Sequence, residues 1–122
     1  MYTSSIDRTL IWTNSNPSSS ISTINIPVDY SGFDAIEIRY RPTTSIDYDY
    51  RVTFSTTNVN RIYESYWIFG SIHLLDAPQG TNAYRNVYGN AAKNNIQISG
   101  VIGGLSGNEI LIPVEINGIN FS

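Results

Sequence analysis

The sequence predicts an all-β protein: an antiparallel, jelly-roll-like β-sandwich of about eight strands, forming a single domain over residues 1–122. Three observations carry this. Eighteen Ile and nine Tyr supply the β-branched and aromatic side chains that suit pleated sheets, and 38 Ser, Thr and Asn supply turns. Apolar residues recur at every second position in several segments, as in Ile36, Ile38 and Tyr40 against Glu37, Arg39 and Arg41. Clusters of Gly, Pro, Asn, Asp and Ser punctuate the chain at the short intervals of sandwiches and barrels.

Taken in order, strands are expected at 8–13, 20–26, 35–41, 50–55, 61–69, 71–75, 94–101 and 109–117. The first leads into a turn cluster at 14–19 around Pro17, and the second carries alternating Ile24 and Ile26. The third follows Asp29 to Asp34, whose Gly32 suits a turn. In the run at 61–69 apolar side chains fall on both faces, Tyr63, Trp67 and Phe69 on one and Ile62, Tyr66 and Ile68 on the other, which fits burial on two sides or contact with another subunit. The last strand sets Ile110, Ile112, Val114 and Ile116 on one side, and Pro113 implies an edge or a bulge because it has no N–H for the ladder. Tyr84 to Lys93 shows no strand period and is the only stretch suited to a short helix.

Charge and composition narrow the function. Charged residues make up 14% of the chain and the net charge is −3 with a single Lys, a poor match to a phosphate backbone, so nucleic acid is excluded as a partner. Cysteine is absent, so thiol chemistry and disulfides are too. No apolar run is long enough for a membrane-spanning helix, and no signal peptide opens the sequence.

Candidate chemistry is sparse. His73, the only histidine, lies two residues from Ser71 and could be imagined in a triad with Asp76 or Glu64, yet no Gly-x-Ser-x-Gly elbow accompanies it. Asp47 and Asp49 flank Tyr48 and share a side if extended, a pair that could ligate Ca²⁺ or work as acid and base on a glycosidic bond. The EF-hand spacing is missing, and a solvated hairpin loop accounts for both acids, so no metal, cofactor or catalytic residue is assigned. The aromatics are the better signal. Tyr84, Arg85 and Tyr88 sit among Asn82, Asn86 and Asn90, and with Asp47 and Tyr48 they form the expected ligand-binding set, on loops held by a rigid sheet.

A resemblance adds to this reading. Trp12-Thr13-Asn14 with Pro17, then Asp29-Tyr30-Ser31-Gly32-Phe33-Asp34-Ala35-Ile36-Glu37-Ile38, and finally Ile112-Pro113 with Ile116 and Gly118-Ile119, resemble the C-terminal β domain of bacteriophage tail-fibre and minor structural proteins. The likeness covers about the first third and the last tenth of the chain, whereas Pro42 to Gly107 matches nothing in that pattern. It implies a tail-fibre or baseplate tip that binds a bacterial surface glycan or surface protein without catalysis. It further implies a homotrimer attached to other virion tail proteins, in a virion assembled in the host cytoplasm. The N-terminal shaft usual in such fibres is not within the sequence, which reads as an excised tip with an added Met1 or as a small stand-alone protein. Other readings are a purely structural virion protein such as a fibre cap or capsid decoration, a small carbohydrate-active enzyme, and a small phage-encoded regulator.

Overall fold

The computed structural model describes residues 6–15, 17, 22–43, 49–56, 60–63, 66–74, 83–103 and 109–121. They form ten strands: β1 (Ile6–Thr13), β2 (Ile24–Ile26), β3 (Ala35–Thr43), β4 (Tyr50–Ser55), β5 (Asn60–Tyr63), β6 (Tyr66–Leu74), β7 (Ala83–Asn90), β8 (Ile96–Ile98), β9 (Ile102–Gly103) and β10 (Glu109–Phe121). Every pairing is antiparallel. One sheet runs β1-β10-β3-β4, and the other β2-β8-β7-β6-β5 with β9 against the start of β7. The protein is the antiparallel β-sandwich that its composition and alternation predict, with more strands than expected.

Two differences have physical causes. The expected strand 61–69 divides between β5, which ends at Tyr63, and β6, which begins at Tyr66, and β6 then runs without a break through the expected boundary at Gly70. Gly70 permits this continuity: its φ of +155° and the register shift between Ile68 and Gly70 form a bulge that bends the strand instead of ending it. The segment from Tyr84, expected to be irregular or helical, is instead β7, the central strand of its sheet. It alternates buried and half-buried residues along its whole length. The pattern is hidden because its inward positions are Ala83, Arg85, Val87 and Gly89, a set that reads as neither apolar nor polar.

The core lies between the sheets. Ile36 and Ile38 of β3 and Ile116 of β10 meet Ile72 of β6, Val87 of β7 and Ile96 and Ile98 of β8, all of them with no accessible surface. Each such side chain contributes roughly 1.5–3 kcal/mol of hydrophobic stabilisation relative to exposure. Aromatic rings fill the sides: Phe69 stacks on Phe54 from the opposite sheet at 6.3 Å and takes the edge of Tyr30 at 5.7 Å. The Tyr40 hydroxyl, carried by β3, donates to the His73 carbonyl of β6 at 2.8 Å and ties the two layers.

The segments that carry the resemblance converge on one side of the sandwich. Trp12 pairs with Ile116, which pairs in turn with Ile38. Asn14 donates from its side chain to the Pro113 carbonyl at 2.9 Å and from its backbone to the Val114 carbonyl at 2.8 Å. Asp34 accepts the Phe121 N–H at 3.0 Å while its own N–H bonds Ile119 and Asn120, and Phe33 covers Gly118. Residues far apart in sequence are thus one structural unit, β1-β10-β3.

Candidate ligand-binding face

The alternation of β7 sends Tyr84, Asn86, Tyr88 and Asn90 away from the core, onto the outer face of the six-stranded sheet. Register places their neighbours. His73 stands opposite Tyr84, Ser71 opposite Asn86 and Ile68 opposite Tyr88 on β6, and Gln97 of β8 stands opposite Tyr88 on the other side. Asn25 of β2 continues that row beyond Gln97, and Ile102 of β9 flanks Tyr84. The two tyrosines are four positions apart, roughly 13 Å along an extended strand.

Hydrogen bonds hold the face in place. The Ser71 hydroxyl donates to Asn86 Oδ1 at 2.8 Å, and Asn86 Nδ2 lies 3.4 Å from the Tyr88 hydroxyl. The Asn86 backbone is pinned by Ser99, through its N–H to Ser99 Oγ at 2.9 Å and its carbonyl from Ser99 N at 2.9 Å. The His73 and Tyr84 rings lie 5.7 Å apart with planes inclined by 30°. Half-buried rings with polar tips, beside amides fixed in direction, can stack on an apolar ligand face and bond its hydroxyls. None of the side chains placed on this face among the described residues is charged.

Of the ligand residues expected from sequence, Tyr84 and Tyr88 come together here, on a strand rather than a loop. Arg85 does not join them. It points the other way, into the interior, with no accessible surface. Its Nε donates to the Ser99 carbonyl at 2.7 Å, Nη1 to the carbonyls of Ile110 at 3.0 Å and Leu111 at 3.4 Å, and Nη2 to that of Ser22. Burial pushes its pKa down to about 10, which leaves it a cation at neutral pH. Arg85 is therefore a structural residue, and the expectation that it contacts ligand is corrected: one position along a strand reverses the side-chain direction. Asp47 and Tyr48 lie outside the described residues. Asn86, Ser71, His73 and Gln97 complete the face; a strand period centred on Asn86 would have found the first of them.

Other chemistry suggested by sequence does not assemble among the described residues. The Ser71 hydroxyl is committed to Asn86 and His73 to the Tyr84 ring, while Asp76 and Glu64 lie outside the described residues. Asp49, one of the two acids flanking Tyr48, engages Arg39 at 3.2 Å and Arg41 at 3.8 Å. Glu115 pairs with Arg39 at 3.0 Å, and Glu37 takes Arg8 through both oxygens, Arg51 and the Asn117 amide. These acids cover the outer face of the four-stranded sheet with an ion-pair network. No group of three or more metal-binding side chains occurs among the described residues. No protein-family model, curated protein or solved structure matches the chain.

Proposed function

We propose that this protein is a non-catalytic recognition domain whose six-stranded sheet binds a neutral saccharide of a bacterial surface through Tyr84, Asn86, Tyr88, Ser71 and His73, as the tip of a phage tail fibre or baseplate. One observation carries the reading: two half-buried tyrosines in line on the outer face of a strand, with a fixed amide between them and, among the described residues, no charged side chain placed beside them. Their separation spans roughly two to three sugar rings. Many identical tips on one particle would turn modest single-site affinity into firm attachment through effective concentration.

The division of the chain supports the phage assignment. The segments that resemble tail-fibre domains form the β1-β10-β3 scaffold, whereas the segment without resemblance supplies β4 to β9 and with them the exposed face. A scaffold built by one part of the chain and a recognition face built mostly by another suits a protein whose binding surface must follow its host.

The test is a glycan array of bacterial polysaccharides probed with the parent and a Tyr84→Ala/Tyr88→Ala variant. Loss of two aromatic contacts of about 0.5–1.5 kcal/mol each predicts binding weaker by roughly 5- to 160-fold with the melting temperature little changed. Binding by the parent should also persist from low to high salt, because the contacts are uncharged. A folded variant that binds as well as the parent would sink the assignment of this face.

A further inference from the structure

Among the described residues β1 is an open edge of its sheet: it pairs with β10 on one side and no described strand lies on the other. Its residues from Ile6 to Leu10 are exposed on both faces. Here gather three of the four exposed large apolar side chains of the described residues, Ile6 at 56%, Leu10 at 55% and Phe121 at 58%. Ile6 stands directly across from Phe121, and Leu10 shares its face two positions beyond Arg8. The edge at the other end of the sheet differs. There β4 turns Arg51, Thr53 and Ser55 outward, the polar pattern that discourages strand addition.

We propose that the open edge of β1 pairs antiparallel with β1 of a second copy about a twofold axis, joining two four-stranded sheets into one continuous sheet. The strand sets its own register. The shift between Leu10 and Trp12 ends the regular edge, leaving Ile6 to Leu10 as the pairing segment. Full overlap of this five-residue segment with its mate puts the axis at Arg8, so Ile6 faces Leu10 of the second copy and Asp7 faces Thr9. Phe121, Ile6 and Leu10 of the second copy then form an apolar row, repeated once by the symmetry. A slip of two residues would set Ile6 or Leu10 against Arg8 and expose an apolar end. Arg8 tolerates its own mate at the axis because Glu37 neutralises it through two bonds of 3.1 and 3.2 Å and draws its side chain toward β3. The pairing does not rest on the ligand assignment, and it is twofold where the tail-fibre resemblance implies threefold.

Light scattering on the full chain, from about 1 to 500 μM, tests it. The parent is expected to reach twice 13.6 kDa. Leu10→Glu, at an exposed position, should weaken the dimer at least tenfold with an unchanged circular dichroism spectrum. Ile6→Lys/Leu10→Glu should regain much of that loss, because each introduced ammonium then faces an introduced carboxylate across the axis. A parent that stays monomeric or reaches three times the chain mass would overturn the proposal. So would a Leu10→Glu variant that dimerises as the parent does, or a double variant weaker than the single one.

Discussion

Arg85 concentrates the chemistry of the interior in one side chain. Its guanidinium collects carbonyls from Ser22, Ser99, Ile110 and Leu111, three separate stretches of chain, and so ties β7 to the far sheet. Leu111, one of its partners, is fully buried with a φ of +45°, a left-handed conformation that disfavours a branched side chain. The register shift between Glu109 and Ile112 places it there, and the bonds from Arg85 hold the adjacent carbonyls. Arg85→Met is expected to lower the unfolding free energy by about 3–5 kcal/mol, because carbonyls that lose a charged donor stay buried without it. Urea unfolding checks this: the midpoint should fall with an unchanged slope. Arg85→Lys should restore little, since an ammonium lacks the planar fork that reaches three stretches. An Arg between two tyrosines reads as a surface residue in sequence, and only the strand period reverses that.

At the scale of elements, bulges decide where strands go. Gly70 is the clearest case. Its φ of +155° is open to glycine alone, and a Cβ built there would lie 2.6 Å from the Phe54 ring of the opposite sheet. The bulge sits beside Phe69, whose ring packs between Phe54 and Tyr30, so backbone geometry and inter-sheet packing are one constraint. Gly70→Ala therefore combines strain with overpacking, and a loss of about 2–4 kcal/mol is expected. A thermal melt of the variant reads it directly, and a midpoint equal to the parent's would refute the account. Most strands showed in the sequence because β3, β4 and β10 alternate apolar and polar residues. The boundary drawn at Gly70 was misplaced because a glycine within a strand reads as a terminator, whereas a bulge uses the same residue to continue.

Across the whole molecule the two outer faces have opposite characters. The four-stranded sheet displays Arg8, Arg39, Arg41 and Arg51 locked to Glu37, Asp49 and Glu115, whereas the six-stranded sheet displays tyrosines, amides and hydroxyls. Between them, Tyr30 and Tyr40 hold the layers together, and burial raises both phenol pKa values above 10.0 against the opposing hydrogen bonds to Asn90 and His73. The sign follows from proton counting. Above pH 10 the unfolded chain loses two phenol protons that the folded protein keeps, while Arg85, lowered to about 10, keeps one more proton unfolded than folded. Tyr30 and Tyr40 thus contribute stability that is lost as pH rises above 10, and Arg85 opposes that loss. Chemical denaturation of the parent and of Tyr40→Phe across this range isolates one phenol: the parent's midpoint should fall more steeply with pH than the variant's, and equal slopes would contradict it.

The sequence by itself determined the fold class, because a period of two in apolar side chains has one common solution, a sheet buried on one face and in need of a second sheet. It also singled out Tyr84 and Tyr88. What only the tertiary structure decided was which way β7 faces and what stands beside it. Ala83, Arg85, Val87 and Gly89 form an inward row only because Tyr30 and Phe69 fill the space over Gly89 and carbonyls of three other stretches receive Arg85. His73, Ser71 and Gln97 join the tyrosines through cross-strand register, a relation between distant segments that local pattern does not carry.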